Sequence, residues 1–102
     1  MTKKKTKLNS EKIIEKIEKN RKDIRKYGVK RIGLFGSFVK GKEHKKSDID
    51  IIVSFSKETF DNYIDLLFFL EKMFRRKIDL VIEKDIHPEL NYIKKDVKYV
   101  RL

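Results

Sequence analysis

Leu34-Phe35-Gly36-Ser37-Phe38-Val39-Lys40-Gly41, the polar run Lys42 to Ser47, and Asp48-Ile49-Asp50-Ile51-Ile52-Val53 form one continuous stretch. A glycine–serine pair ends one apolar run, and two carboxylates two residues apart open the next. The four glycines of the chain, Gly28, Gly33, Gly36 and Gly41, all lie within this stretch or just before it. In a strand, side chains at i and i+2 share a side, roughly 6.5–7 Å apart. Asp48 and Asp50 would therefore repel each other, and one pKa would rise unless a cation lay between them. Asp79 interrupts a second apolar strand pattern, 77–83. If the two strands are neighbours, Asp48, Asp50 and Asp79 converge on the face away from the isoleucines. Such a set suits Mg²⁺, which takes a few carboxylates together with water and substrate phosphates. Two such ions about 3.5–4 Å apart would clamp an in-line phosphoryl displacement. The ordinary alternative is a solvated strand entrance, with Asp79 paired to Arg or Lys. Gly36-Ser37, entering a helical turn, offers backbone N–H groups and a hydroxyl to a triphosphate. Its ordinary alternative is a strand-to-helix turn with Ser37 as N-cap.

Outward from this stretch, the pattern alternates. Asn9 or Ser10 caps a helix whose apolar positions Ile13, Ile14, Ile17, Ile24 and Tyr27 keep helical spacing, with Arg21 interrupting them and Gly28 at C′. Strands are expected over Val29–Phe35, Asp48–Phe55 and Lys77–Glu83. One or two helical turns run through Lys40, and a long helix covers Phe60–Phe74 with a wide apolar stripe, which core packing explains better than the alternative, an apolar surface shared with a partner. Arg75-Arg76-Lys77 suits the C-terminal dipole of that helix. Pro88 opens a short helix to about Lys95, and Val97–Leu102 is an extended tail. The order is α-β-α-β-α-β-α, an α+β class with a small sheet and helices packed on it. Residues 1–8 read as a mobile lysine-rich arm and 9–102 as one domain.

Lys plus Arg is 27 against 16 acids, a net charge of +11. That favours anionic partners, but the 21 lysines are spread along the chain rather than clustered, as host composition alone would give. There is no Cys, so disulfides and Cys-based zinc sites are excluded. No apolar run approaches membrane-spanning length, and no signal-peptide pattern follows Met1, so a cytoplasmic location is expected. His44 and His87 read as surface histidines. The tyrosines make no stacking platform, which disfavours single-stranded nucleic acid as the main partner.

Gly36-Ser37, ten residues, then Asp48-Ile49-Asp50 resembles the signature of the DNA polymerase β-like nucleotidyltransferase superfamily. The fuller run Arg31-Ile32-Gly33-Leu34-Phe35-Gly36-Ser37 through Ser47-Asp48-Ile49-Asp50-Ile51, with Asp79-Leu80-Val81 and Pro88-Glu89-Leu90, is similar to its minimal nucleotidyltransferase (MNT) branch. The resemblance implies a mixed-sheet nucleotidyltransferase fold that uses ATP or another NTP with Mg²⁺. It places Gly36 and Ser37 on the phosphates and Asp48, Asp50 and Asp79 around the metals, as catalytic residues. Asp79 would complete the metal site and accept the hydroxyl proton. Lys40 stands where the family often has Arg, keeping the charge without bidentate recognition. MNT proteins are commonly antitoxins paired with HEPN-domain toxins, and some transfer AMP to a tyrosine of that partner. Alternatives stay open: a non-catalytic antitoxin that acts by docking, or transfer to RNA or a small molecule.

Overall fold

The computed structural model describes residues 8–44 and 46–102. The arm expected over residues 1–8 lies outside them except for Leu8, which is partly buried against the core.

Helix α1 (Ser10–Lys19) starts where Asn9 accepts the Lys12 N–H at 2.9 Å. It buries Ile13 and Ile17 completely. The single helix expected up to Tyr27 is in fact two. Asn20 leaves the helical region (φ −107°, ψ 19°), and its side-chain amide donates to the Lys16 carbonyl at 2.8 Å. That local bond competes with the helical ladder. The chain restarts as α2 (Arg21–Arg25), which buries Ile24 and leaves Arg21 exposed. The polar residue that interrupts the stripe thus marks the break.

Strand β1 (Val29–Phe35) leads through the short helix α3 (Ser37–Lys40) to β2 (Ile49–Phe55). Helix α4 (Phe60–Phe74) then carries the chain to β3 (Ile78–Ile82). The expected terminal helix, Pro88–Asp96, winds as 3-10 rather than α. It buries no residue, so it lacks the packed apolar face from which helices in proteins draw most of their stability. The expected extended tail supplies a fourth strand, β4 (Lys98–Val100). The sheet order is β3-β2-β1-β4. β2 and β3, joined by α4, run parallel, while β1 pairs antiparallel with both β2 and β4. The sheet is therefore mixed, with helices packed on it, as expected.

Alternation sorts the strands into two faces. Ile32 and Leu34, Ile49, Ile51 and Val53, and Ile78 and Leu80 meet Ile13, Ile17, Ile24, Leu66 and Leu70 in one core. The apolar stripe of α4 is only partly core. Leu66 and Leu70 are fully buried, whereas Phe60, in the first turn of the helix, is 77% exposed and Phe68, on the side of the helix opposite Leu66 and Leu70, is 60% exposed.

The opposite face carries Asp50, Ile52 and Ser54 on β2, with Asp79 and Val81 beside them on β3. Ile52 is fully buried there, and the side chains of Val97 and Tyr99 lie where a Cβ on neighbouring Gly33 would go. At the far end, Arg31 bonds Glu83 at 2.7 Å and stacks on the Tyr99 ring at 4.5 Å, while Ser54 donates to Glu83 at 3.0 Å. Burial alone would raise the Glu83 pKa, but hydrogen bonds from Arg31 and Ser54 outweigh it and hold that carboxyl below its ordinary value. This strap links β4, β1, β2 and the residue that follows β3.

Candidate active site

The parallel register of β2 and β3 places Asp50 directly opposite Asp79, side chains on the same side. Asp48 lies just before β2, exposed, as is Asp79. The antiparallel register of β1 and β2 sets Phe35 opposite Asp50. The Gly36–Ser37 turn that follows Phe35 therefore comes up against the same carboxylate. Three sequence-distant features are brought to one end of the sheet, and the geometry of two strand pairs is what gathers them.

Gly36 shows how close the approach is. It sits at φ +79°, ψ −149°, a conformation that is essentially glycine's own. A Cβ there would run into Asp50 Oδ2 and come within 2.8 Å of Asp50 Cγ. Glycine is required twice over, for the backbone angle and to leave room for the carboxylate. Its carbonyl accepts from Val39 and Lys40, each at 3.1 Å, which starts α3. Gly41, at φ +69°, ends it.

Electrostatics at Asp50 follow from this crowding. Burial pushes its carboxyl up to about 6, and the charge of Asp79 adds to the push. The Ser37 backbone N–H pulls in the opposite direction, while a hydrogen bond to Asp79 and the charge of Asp48 raise it further. Ser37, expected at the phosphates, thus also has its N–H directed at the carboxylate. Among the described residues, no lysine or arginine forms an ion pair with Asp48, Asp50 or Asp79. The ordinary alternative, Asp79 paired to Arg or Lys, is not found among the described residues. Equally, no three acidic or imidazole groups among the described residues lie close enough to form a closed metal cage.

A donor set of hard carboxylate oxygens that repel one another still fits Mg²⁺ in chemical kind. Burial is the main cause of the rise at Asp50, and the charges of Asp79 and Asp48 add a repulsion that a cation would relieve. Asp50 and Asp79 are the pair in place, with Asp48 next to them along the chain.

The loop ahead of Asp48 is ordered by its own bonds. Ser47, which is buried, accepts the His44 N–H on its hydroxyl at 2.8 Å and donates its own N–H to the His44 carbonyl at 2.9 Å. Arg76 donates to the Ser47 carbonyl at 2.9 Å. Sequence reasoning saw Arg76 only as one of three bases at the end of α4. Nothing local distinguishes it from Arg75, whose backbone caps that helix in the left-handed region. His44 and His87 are exposed, and the His87 ring accepts the Glu89 N–H at 3.2 Å. A cleft of about 460 Å³ lies away from the carboxylates, between α4 and β3, lined by Phe60, Tyr63, Leu80 and Ile82 among others. No helix among the described residues is long and apolar enough to cross a membrane.

Residues 10–101 match the nucleotidyltransferase domain family. A Methanocaldococcus jannaschii protein provisionally named a protein adenylyltransferase is 42% identical over 89 residues, which cover 84% of this chain and 85% of that one. The protein adenylyltransferase MntA of Thermococcus cleftensis is 31% identical over 96 residues, 91% of this chain and 97% of its own. Among solved structures, one provisionally described as a minimal nucleotidyltransferase superposes with TM-score 0.76 at 23% identity, over 96% of this chain and 100% of that one, a likeness of fold. A chain from the crystal structure of a toxin–antitoxin with AMP-PNP superposes with TM-score 0.65 at 27% identity, over 90% of this chain and 72% of its own.

Proposed function

This chain belongs to the nucleotidyltransferase domain family, and from that premise we propose that it moves AMP from ATP to a hydroxyl side chain of a partner HEPN-type toxin, for which it is the antitoxin. The observation that carries the reading is the register that sets Asp50 beside Asp79, against the Gly36–Ser37 turn. The relatives named for protein adenylyl transfer and the toxin–antitoxin neighbour with AMP-PNP support the choice of nucleotide and acceptor.

In this mechanism the acceptor hydroxyl oxygen attacks the α-phosphorus of ATP. Its proton passes to the Asp79 carboxylate, a role that needs only a carboxylate within hydrogen-bond reach. The bond from the α-phosphorus to its bridging oxygen breaks, and pyrophosphate leaves. Gly36 and Ser37 face the triphosphate with backbone N–H groups and a hydroxyl. Asp48, Asp50 and Asp79 would hold Mg²⁺, which when bound supplies positive charge against the triphosphate and the departing pyrophosphate.

Thermal unfolding with millimolar Mg·ATP tests the site: the wild type should melt higher by linkage, and Asp48→Asn with Asp50→Asn should lose the shift. No shift in the wild type would favour an antitoxin that acts by docking alone. Incubation with labelled ATP, Mg²⁺ and the protein encoded beside this one should label that protein, with no label from Asp79→Asn. Label on added RNA instead would replace this reading with an RNA-directed transferase.

A further inference from the structure

Asp48 is the one site carboxylate outside the strands, yet the two peptide groups that flank it are held by two consecutive residues, Arg76 on one side and Lys77 on the other. On its N-terminal side, the Ser47 carbonyl accepts from the Arg76 guanidinium at 2.9 Å. On its C-terminal side, the Ile49 N–H donates to the Lys77 carbonyl at 3.1 Å. Arg76 also lies over the ring of Phe38, 5.4 Å from its centroid. Phe38 is 3% exposed and follows Ser37 in the phosphate-facing turn. Three residues after Arg76 comes Asp79. One guanidinium thus touches the turn that carries Ser37 and the loop that carries Asp48, from a segment that ends in Asp79.

We infer that Arg76 is a positioning residue for the transfer reaction, fixing the Asp48 loop and the Ser37 turn relative to Asp79. The inference deepens the nucleotidyltransferase reading and rests on it. An arginine suits the task because its planar fork both stacks on an aromatic face and donates in a fixed direction. Lysine would keep the charge and lose the fixed fork. The part-buried Ser47 carbonyl needs a donor in any case, and the use of a long side chain from another element ties two segments together where water would tie none. Supporting groups of this kind around metal-binding carboxylates typically affect metal affinity or activity by about 10–100-fold.

The test compares Arg76→Met and Arg76→Lys with Asn62→Ala. Asn62 also makes a side-chain bond to a backbone carbonyl, that of Lys57 at 2.9 Å, and it lies at the other end of β1, near Gly28. Binding of Mg·ATP is measured by calorimetry, unfolding of the metal-free proteins by urea, and AMP transfer by label. Arg76→Met should weaken Mg·ATP binding about 10–100-fold, Arg76→Lys should recover part of the loss, and Asn62→Ala should bind as the wild type does at a comparable loss of stability. Should Arg76→Met fail to fold, Arg76→Lys alone decides, since wild-type binding by it overturns the inference. Wild-type binding by Arg76→Met, or equal weakening by Asn62→Ala, also overturns it while leaving nucleotidyl transfer intact. Absence of Mg·ATP binding by the unmutated protein brings down both readings.

Discussion

Replacing Gly36 with alanine probes the closest contact in the site. At φ +79°, ψ −149° a non-glycine residue costs about 1–3 kcal/mol in backbone strain. The new Cβ would also occupy the place of Asp50 Oδ2, so the carboxylate must turn aside. An off-rotamer side chain adds about 0.5–1.5 kcal/mol. The sum is roughly 2–4 kcal/mol, a large part of a small domain's stability. Gly41 provides the comparison. It too has positive φ (+69°), but a Cβ there meets nothing within 4 Å, so Gly41→Ala should cost only about 1–2 kcal/mol. Urea unfolding of the metal-free variants at pH 7 measures both. A second arm repeats Gly36→Ala in an Asp50→Ala background, where the crowding from the carboxylate is gone. The cost of Gly36→Ala should fall there by about 0.5–1.5 kcal/mol, the side-chain share. If Gly36→Ala costs no more than Gly41→Ala, or costs the same with and without the Asp50 carboxylate, glycine is not required at 36 for the reason given.

Other outcomes follow from the same geometry. The Asp50 carboxyl is raised to about 6 from 3.8, so its neutral form stabilises the metal-free fold below about pH 4, and that contribution is lost as pH rises through 6. After allowance for solvent screening of a partly exposed group, the effect is on the order of 1 kcal/mol; Asp50→Asn should remove this slope, and parallel wild-type and variant stability curves across pH 4–7 would contradict it. Glu83 is shifted the other way, so its contribution is present above its unfolded value of 4.5 and is lost as pH falls through the lower folded pKa. A double-mutant cycle of Glu83→Gln with Arg31→Met, read by urea unfolding at pH 7, should give a coupling of about 0.5–1 kcal/mol, shrinking below pH 4. Phe68→Ser, at a position 60% exposed, should change stability by no more than about 0.5 kcal/mol, whereas Leu66→Ala, fully buried on the same helix, should cost about 2–5 kcal/mol; similar losses for the two would mean that Phe68 is packed.

Much of the fold was legible because it is written in local periodicity. The alternation of Ile49, Ile51 and Val53, and of Ile78 and Leu80, assigned the buried face of two strands, and glycines bounded β1. The pairing of Gly36-Ser37 with Asp48-Ile49-Asp50 pointed to phosphate chemistry, since few other tasks call for a glycine–serine turn and spaced carboxylates. What stayed hidden were features with no periodic signal. The break at Asn20 comes from one side-chain bond to the Lys16 carbonyl. The strand Lys98–Val100 exists because β1 has an open edge to pair with. The exposure of Phe60 and Phe68 was hidden, because a helix with apolar residues around most of its circumference does not say which of them the core buries.

The residue types at the site were determined by the sequence alone: two aspartates two apart, a third in another strand, and a glycine where only glycine fits. Tertiary structure decided their relations. The register of a parallel pair, not any spacing along the chain, put Asp50 opposite Asp79. The antiparallel register of β1 then brought Gly36 against the Asp50 carboxylate, which burial and the charge of Asp79 push up to about 6. Arg76 became a tie between loop and turn only because α4 ends beside Ser47 and Phe38. A side chain's partners across elements depend on strand register and helix placement, and those are settled by the packing of the whole core rather than by any segment that contributes to it.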